Sequence, residues 1–266
     1  MSSNNVQNIL VFNQMDGFTK VKKKSRRKHH AEEFDETSEL YFDKLCRRVD
    51  RTVEQFQDDD LLSETIARFE NALSQLGTDV NVQCIVCYGL GSVSNSKSSL
   101  YQFALIHQTS LKYGIPLSVY DPVFTAADIK LFKRVNCTVL PLDDVGVREV
   151  KVPTLFFTPH APRIITDNIL RSNWGLSLSN CILFGDDLSK IIDNTPTRII
   201  ANSFPFINEC QHFVEVIPVE NKFKYSDVFN DLAFHVFVPK KLTTVDPQTW
   251  EVDAVAAKAS ELSESS

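Results

Sequence analysis

The sequence predicts an α/β protein with a Rossmann-like, mostly parallel sheet, helices on both faces and two helices in front of the sheet. Strand-like apolar runs alternate with helical stretches over about 100 residues, which is typical of a parallel sheet. A glycine turn, Gly89-Leu90-Gly91-Ser92, follows the first apolar run and opens a helical stretch. The chain has 266 residues, 43% of them apolar, which is enough to bury a large core.

Residues 1–36 are predicted to form a disordered basic arm. Seven lysines and arginines stand between Lys20 and Lys28, and four acidic residues follow between Glu32 and Glu36. Charges this dense prefer solvent to a packed core. Two interpretations remain open: a solvated tail, or a patch for nuclear import or nucleic-acid contact.

The overall charge is mildly acidic. With 28 basic and 34 acidic residues the formal net charge is −6, so bulk charge does not attract nucleic acid, and such contact is expected only through the arm. No apolar run approaches the roughly 20 residues that a membrane span needs. The first residues also lack the order of a secretory signal, and we expect no membrane association.

Residues 37–78 are predicted to hold the two N-terminal helices. Apolar residues recur there at steps of three and four, which gives each helix one apolar stripe. The stripes consist of Phe42, Leu45, Val49, Val53 and Phe56, and of Ile66, Phe69, Leu73 and Leu76. The second helix is expected to end at Gly77.

Residues 79–250 are predicted to be the Rossmann-like domain. Its strands are expected at 84–88, 116–120, 137–142, 154–158, 181–184, 213–217 and 234–238. Thr125 is expected to cap a helix in a capping box with Asp128. Residues 251–266 are rich in alanine, serine and glutamate and are predicted to be a disordered tail.

The carboxyl ends of parallel strands meet at one edge of a sheet, where ligands bind in open α/β folds. This places five candidate site residues along one edge: Gly89, Gly91, Ser92, Asp121 and His160. Asp186 and Asp187 follow the fifth strand and belong to the same edge.

The glycine turn is the candidate cofactor-binding element, through Gly89, Gly91, Ser92 and Asp121. Glycines let backbone approach a phosphate, the helix start offers free N–H groups, and an acid after the second strand can bind ribose hydroxyls. A methyl-donor fold would show the same arrangement, although Tyr88 stands where such a fold often has an acid. The alternative is that the glycines only make a tight turn and the serines only cap the helix.

His160 is the candidate catalytic residue. At the end of the fourth strand, between Pro159 and Pro162, an imidazole could act as a general base or contact a ligand. The alternative is a histidine that is hydrogen-bonded within a proline turn. No metal site is predicted: Cys84 and Cys87 lie three apart on a strand and face opposite sides, so they cannot chelate one ion.

Several motifs together resemble the sensitivity-to-red-light-reduced (SRR-like) family over roughly residues 80–240. They are Cys87-Tyr-Gly-Leu-Gly-Ser-Val-Ser94, Val119-Tyr-Asp-Pro-Val-Phe124, Pro153-Thr-Leu-Phe-Phe-Thr-Pro-His160, Ser172-Asn-Trp174, and Phe229-Asn-Asp231 with His235. One departure is Gly185-Asp186-Asp187-Leu188, where the family tends to have Gly-Asn-Ser-Phe.

The resemblance implies a regulator linked to circadian-clock input and to haem biosynthesis, in the cytoplasm and nucleus. It implies no established catalytic mechanism, and the cofactor stays unidentified. A small anionic or nucleotide-like ligand and a regulatory protein partner are the expected partners. The alternatives are an enzyme that uses a nucleotide-type cofactor such as a methyl donor, and a pure interaction scaffold.

Overall fold

The computed structural model describes residues 38–57, 59–77, 80–141 and 143–255. The predicted basic arm, 1–36, lies outside the described residues, and so does the predicted tail from 256 onward. None of the helices in the described part of the chain has the length and apolar character needed to cross a membrane.

The described residues contain one sheet of seven strands. In chain order the strands are β1 Cys84–Tyr88, β2 Leu117–Tyr120, β3 Thr138–Val139, β4 Thr154–Thr158, β5 Cys181–Asp186, β6 Glu215–Pro218 and β7 Leu232–Val236. Their spatial order is β3-β2-β1-β4-β5-β7-β6. The predicted strands at 84–88, 116–120, 154–158 and 181–184 are therefore confirmed as neighbours in one sheet.

The sheet is mixed: the predicted mostly parallel arrangement holds from β1 to β5, and the antiparallel pairings of β7 were not predicted. β1 to β5 pair in parallel, but β7 pairs antiparallel with both β5 and β6. Residues 219–231 join β6 to β7 without a crossover α-helix, and only a crossover would allow these neighbours to run in parallel. The predicted strand at 137–142 is also shorter, because Pro141 has no N–H to extend the ladder beyond the bond from Leu140 to Val119.

Helices and turns cover the sheet on both faces. The helices are α1 Glu39–Gln57, α2 Asp60–Leu76, α3 Lys97–Tyr113, α4 Ala126–Arg134, α5 Arg163–Ser172, α6 Leu188–Asp193, α7 Thr197–Ser203, α8 Pro205–Cys210 and α9 Pro239–Leu242. Three 3₁₀ turns lie at Leu176–Asn180, Ser226–Val228 and Pro247–Trp250.

Alternation along each strand divides the core into two apolar clusters. In β1, Ile85 and Cys87 join a cluster that includes residues of α1 to α4, whereas Val86 and Tyr88 join one that includes residues of α5, α7 and α8. A strand buried on both faces explains why this run is continuously apolar.

The start of α4 follows its sequence closely. The Thr125 side chain accepts the Asp128 N–H at 3.1 Å, and the Asp128 carboxylate accepts the Thr125 N–H at 2.9 Å. The predicted capping box is confirmed.

Candidate functional site

The glycine turn after β1 is pressed between two other segments. Gly89 and Gly91 both have φ of 71°, a conformation that L side chains rarely adopt. A Cβ on Gly89 would lie 2.5 Å from the Cβ of Ala161, in the turn after β4. A Cβ on Gly91 would lie 2.6 Å from the Ser99 Oγ of α3. Both positions require glycine because protein atoms approach closely there.

The polar groups of this turn are satisfied by two carboxylates. Gly91 donates its N–H to Asp121 at 2.7 Å, and Ser94 donates its N–H to Asp128 at 2.7 Å. The Ser92 hydroxyl donates to the other Asp128 oxygen at 2.8 Å. A bare anion at this turn would have to replace Asp121 and would face two like charges, whereas a hydroxyl could donate to Asp121.

Asp128, predicted only as a helix-capping residue, also belongs to the site. It is fully buried and bonds the glycine turn as well as Thr125. A carboxylate can accept several hydrogen bonds at once, so the Asp128 side chain connects the glycine turn after β1 to the start of α4.

His160 lies at the same edge and contacts an acid from the next strand. Its φ of 53° is left-handed, and Asp186 accepts its backbone N–H at 3.1 Å. The same carboxylate oxygen lies 2.8 Å from the imidazole Nδ1. The hydrogen bond with Asp186 raises the pKa of His160 above its ordinary value, against the opposing effect of burial. The side chain is 34% exposed, so the ring is accessible to a ligand.

The acids that depart from the family pattern therefore have defined contacts. Asp186 contacts His160, and Asp187 caps α6 by accepting the Ser189 N–H at 2.9 Å. The Asp186 contact therefore lies at the sheet edge, and the Asp187 contact stabilises the start of α6.

The segment 219–231 between β6 and β7 crosses this edge. Gln102 of α3 donates to the Val228 carbonyl at 3.1 Å. Asp187 donates its N–H to the Asp231 carbonyl at 2.7 Å, and Lys190 pairs with the Asp231 carboxylate. Sequence periodicity did not indicate these contacts, although Phe229-Asn-Asp231 was part of the family resemblance.

A second network fixes the segment that follows β3. The buried Tyr88 hydroxyl donates to Asp144 at 2.6 Å, and Arg148 bonds both groups. Asn173 accepts the Val150 N–H and donates to the Arg148 carbonyl, each at 2.8 Å. Burial raises the pKa of Tyr88 far above its ordinary value, so the phenol stays protonated as the donor.

The structure brings the predicted site residues to one edge but gives them unequal surroundings. Asp121 contacts Gly91, Gly89 packs beside the neighbour of His160, and Ser92 is buried against Asp128. Two surface depressions, of about 520 and 380 Å³, are lined by residues of α1, α2, the end of α3 and the start of segment 219–231. They include none of the five candidates. Within the described residues, no three His, Cys, Asp or Glu side chains are grouped to hold a metal ion.

The protein is an α/β protein with a mixed seven-stranded sheet. The turns that follow β1, β2, β4 and β5 meet segment 219–231 at the carboxyl ends of these strands. The particular family follows from comparison with known proteins. The SRR1 domain model matches residues 54–236, so the chain belongs to the SRR1 domain family, and the resemblance found from the motifs is confirmed.

Three relatives illustrate the family's range. The SRR1-like protein of Drosophila melanogaster is 26% identical over 230 residues, which cover 84% of this chain and 79% of that protein. The SRR1-like protein of Mus musculus is 31% identical over 132 residues, 48% of this chain and 53% of the mouse protein. Protein SENSITIVITY TO RED LIGHT REDUCED 1 of Arabidopsis thaliana is 32% identical over 169 residues, 61% of each chain. No solved structure is significantly similar to this chain.

Proposed function

We propose that this protein is a regulator in a light- or clock-input pathway, with a second role in haem biosynthesis. Family membership over residues 54–236 and the name of the Arabidopsis relative support the first role. The haem role rests on the family resemblance alone. The regulator acts in the cytoplasm and nucleus, with the basic arm as the element for nuclear entry.

The carboxyl edge of the sheet is the proposed working surface. The observation that carries this is the His160–Asp186 contact, in which a partly exposed imidazole of raised pKa stands at a strand end. Such groups are more common at functional sites than elsewhere on a surface. The site binds a small nucleotide-like ligand, and a regulatory protein partner binds differently to the ligand-bound and ligand-free forms.

Among small ligands, the contacts favour one that carries hydroxyl groups over a simple anion. Asp121 already accepts the hydrogen bond from the Gly91 N–H, and the Asp128 carboxylate accepts one from Ser92 in the same turn. A ribose can donate hydroxyl protons to Asp121, whereas phosphate alone meets repulsion.

Ligand binding is tested by thermal shift and calorimetry with the full chain. The probes are adenosine, S-adenosylmethionine, ADP, inorganic phosphate and haem. We expect a nucleoside-bearing probe to raise the melting temperature, and Asp121→Asn to weaken that probe at least tenfold. Asp193→Asn, which removes an exposed acid at the end of α6, is the matched control and keeps wild-type affinity. If no probe shifts the wild-type melting curve, the edge is a fold feature and the scaffold interpretation replaces the ligand.

The regulatory role is tested in cells that lack the endogenous protein. Wild-type chain should restore the clock period and haem synthesis, and Asp121→Asn should restore them poorly. Normal rescue by a variant that has lost the ligand would contradict a role for the edge in regulation.

An enzyme with a nucleotide-type cofactor is the second candidate, and the strand order favours it. The order β3-β2-β1-β4-β5 puts a switch point between β1 and β4, beside the glycine turn. His160→Asn separates the two candidates. In an enzyme the variant should lose turnover, whereas in a regulator it should keep ligand binding and change little else. Asparagine suits this position since it tolerates positive φ.

A further inference from the structure

His235 is a buried imidazole in β7, behind the carboxyl edge. Its side chain is 1% exposed, and its Nε2 accepts the backbone N–H of Leu188 at 3.1 Å. Burial lowers the pKa of His235 to about 4, so the ring is neutral at physiological pH and its Nε2 remains an acceptor.

The turn that His235 contacts is held from two sides. Leu188 begins α6, directly after Asp186 and Asp187, and its N–H points to β7. One residue earlier, the Asp187 N–H donates to the Asp231 carbonyl at 2.7 Å. Two consecutive amides are thus fixed by β7 and the residue before it, which leaves little freedom to the backbone that carries Asp186.

Asp186 in turn sets the orientation of His160. One carboxylate oxygen accepts the His160 backbone N–H at 3.1 Å and lies 2.8 Å from Nδ1. The His160 backbone is itself in a left-handed conformation, so it depends on such contacts to stay there.

We propose that His235 is a positioning residue for the carboxyl edge: by accepting the Leu188 N–H it fixes the turn 186–188, and the Asp186 carboxylate is thereby held on His160. The inference rests on the proposed function only in assigning His160 to the working surface. It accounts for a polar ring in a core position where an apolar side chain would pack without burying a polar group.

The test follows the titration of His160 by NMR of the imidazole carbon-bound protons in the full chain. His235→Phe removes the acceptor, and we expect the pKa of His160 to fall toward its ordinary value because its contact with Asp186 loosens. His235→Gln keeps an acceptor oxygen and should retain most of the wild-type value. Asp231, whose charge also acts on His160, and Lys190, the ion-pair partner of Asp231, are unchanged in both variants.

His107→Phe is the matched control, since it replaces another buried histidine, on α3, where the ring stacks on Phe103. Should His235→Phe not fold, His235→Met takes its place, because methionine fills irregular space and offers only a weak acceptor. An unchanged His160 titration in a folded His235 variant would overturn the proposal, even with a stability loss like that of His107→Phe. This readout needs no ligand, so its failure is distinct from failure of the proposed function.

Discussion

His160 is the residue at the edge whose charge is expected to change near neutral pH. Its pKa is raised in the folded state, chiefly by the hydrogen bond with Asp186. A raised folded pKa means that the stabilisation is fully present below the ordinary pKa of histidine and is lost as pH rises through the folded value.

The pH dependence of this contact can be measured with His160→Asn. We expect the wild type to exceed the variant in free energy of unfolding by more at pH 5.5 than at pH 8.5. The gain is at most about 1 kcal/mol, because a partly exposed ion pair is screened by solvent. Urea unfolding at both pH values measures it, with His212→Asn, at an exposed histidine, as the control. An equal difference at both values would contradict an ionic contribution.

Asp167 is a second titrating residue, buried between α5 and α8. Its carboxylate accepts the N–H groups of Phe206 and Ile207 at 2.9 and 3.0 Å. Burial raises the pKa of Asp167 to about 7, against the opposing effect of these two bonds. The folded state therefore holds the proton more tightly than the unfolded state. The stability from this group is fully present below the ordinary pKa of aspartate and is lost as pH rises from there through about 7.

Replacing Asp167 should have opposite effects depending on the substitute. Asp167→Asn keeps an acceptor oxygen and removes the buried charge, so its melting temperature should exceed wild type by more at pH 8 than at pH 5, and the difference should vanish only below the ordinary pKa of aspartate. Asp167→Ala leaves two amides without a partner and should cost about 1–3 kcal/mol at pH 5, and less at pH 8 because it also removes the buried charge. Calorimetry measures the melting temperatures. Equal losses of melting temperature for both variants at pH 8 would show that the buried charge does not destabilise the wild type.

At the scale of elements, the contact between the turn after β1 and the turn after β4 shapes the edge. Gly89 and Gly114 have similar positive φ values, 71° and 64°, but differ in their neighbours. A Cβ at Gly89 meets Ala161 at 2.5 Å, whereas a Cβ at Gly114 has nothing within 4 Å.

This pair separates backbone strain from crowding. Gly114→Ala should cost about 1–2 kcal/mol for the left-handed backbone alone. Gly89→Ala should cost a further 1–3 kcal/mol or so, because the two turns must move apart. The difference corresponds to roughly 2–4 °C in melting temperature per kcal/mol for a chain of about this size. Equal losses for the two variants would show that the turns separate freely.

At the scale of the whole molecule, the basic arm and the folded part are expected to act independently. Deleting residues 1–30 should leave the melting temperature unchanged, since that composition favours solvent over a core. The same deletion should lower the nuclear fraction of a fluorescently tagged chain.

A deleted chain that carries a foreign import signal is the control, and it should return to the nucleus. An unchanged distribution after the deletion would contradict the import role. A large loss of stability would contradict the independence of the arm.

Local sequence patterns were sufficient for the individual elements. Continuous apolar runs marked β1 and β4 at their observed bounds, and the Thr125–Asp128 spacing marked the start of α4. These features depend on residues within a few positions of each other, where alternation, helical period and capping chemistry act directly. The same patterns placed the candidate residues at one edge, because parallel strands share the direction of their ends.

Only the tertiary structure decided which groups meet at that edge. The antiparallel direction of β7 depends on a connection without a crossover helix, and apolar alternation is the same for both strand directions. The bonds of Gly91 to Asp121, of His160 to Asp186 and of Leu188 to His235 join segments 26 to 47 residues apart. A polar side chain can satisfy its hydrogen bonds with water, a ligand or a distant backbone, and composition does not distinguish among these partners. Packing of the whole chain selects one of them, which is why the edge could be located from the sequence while its contacts could not.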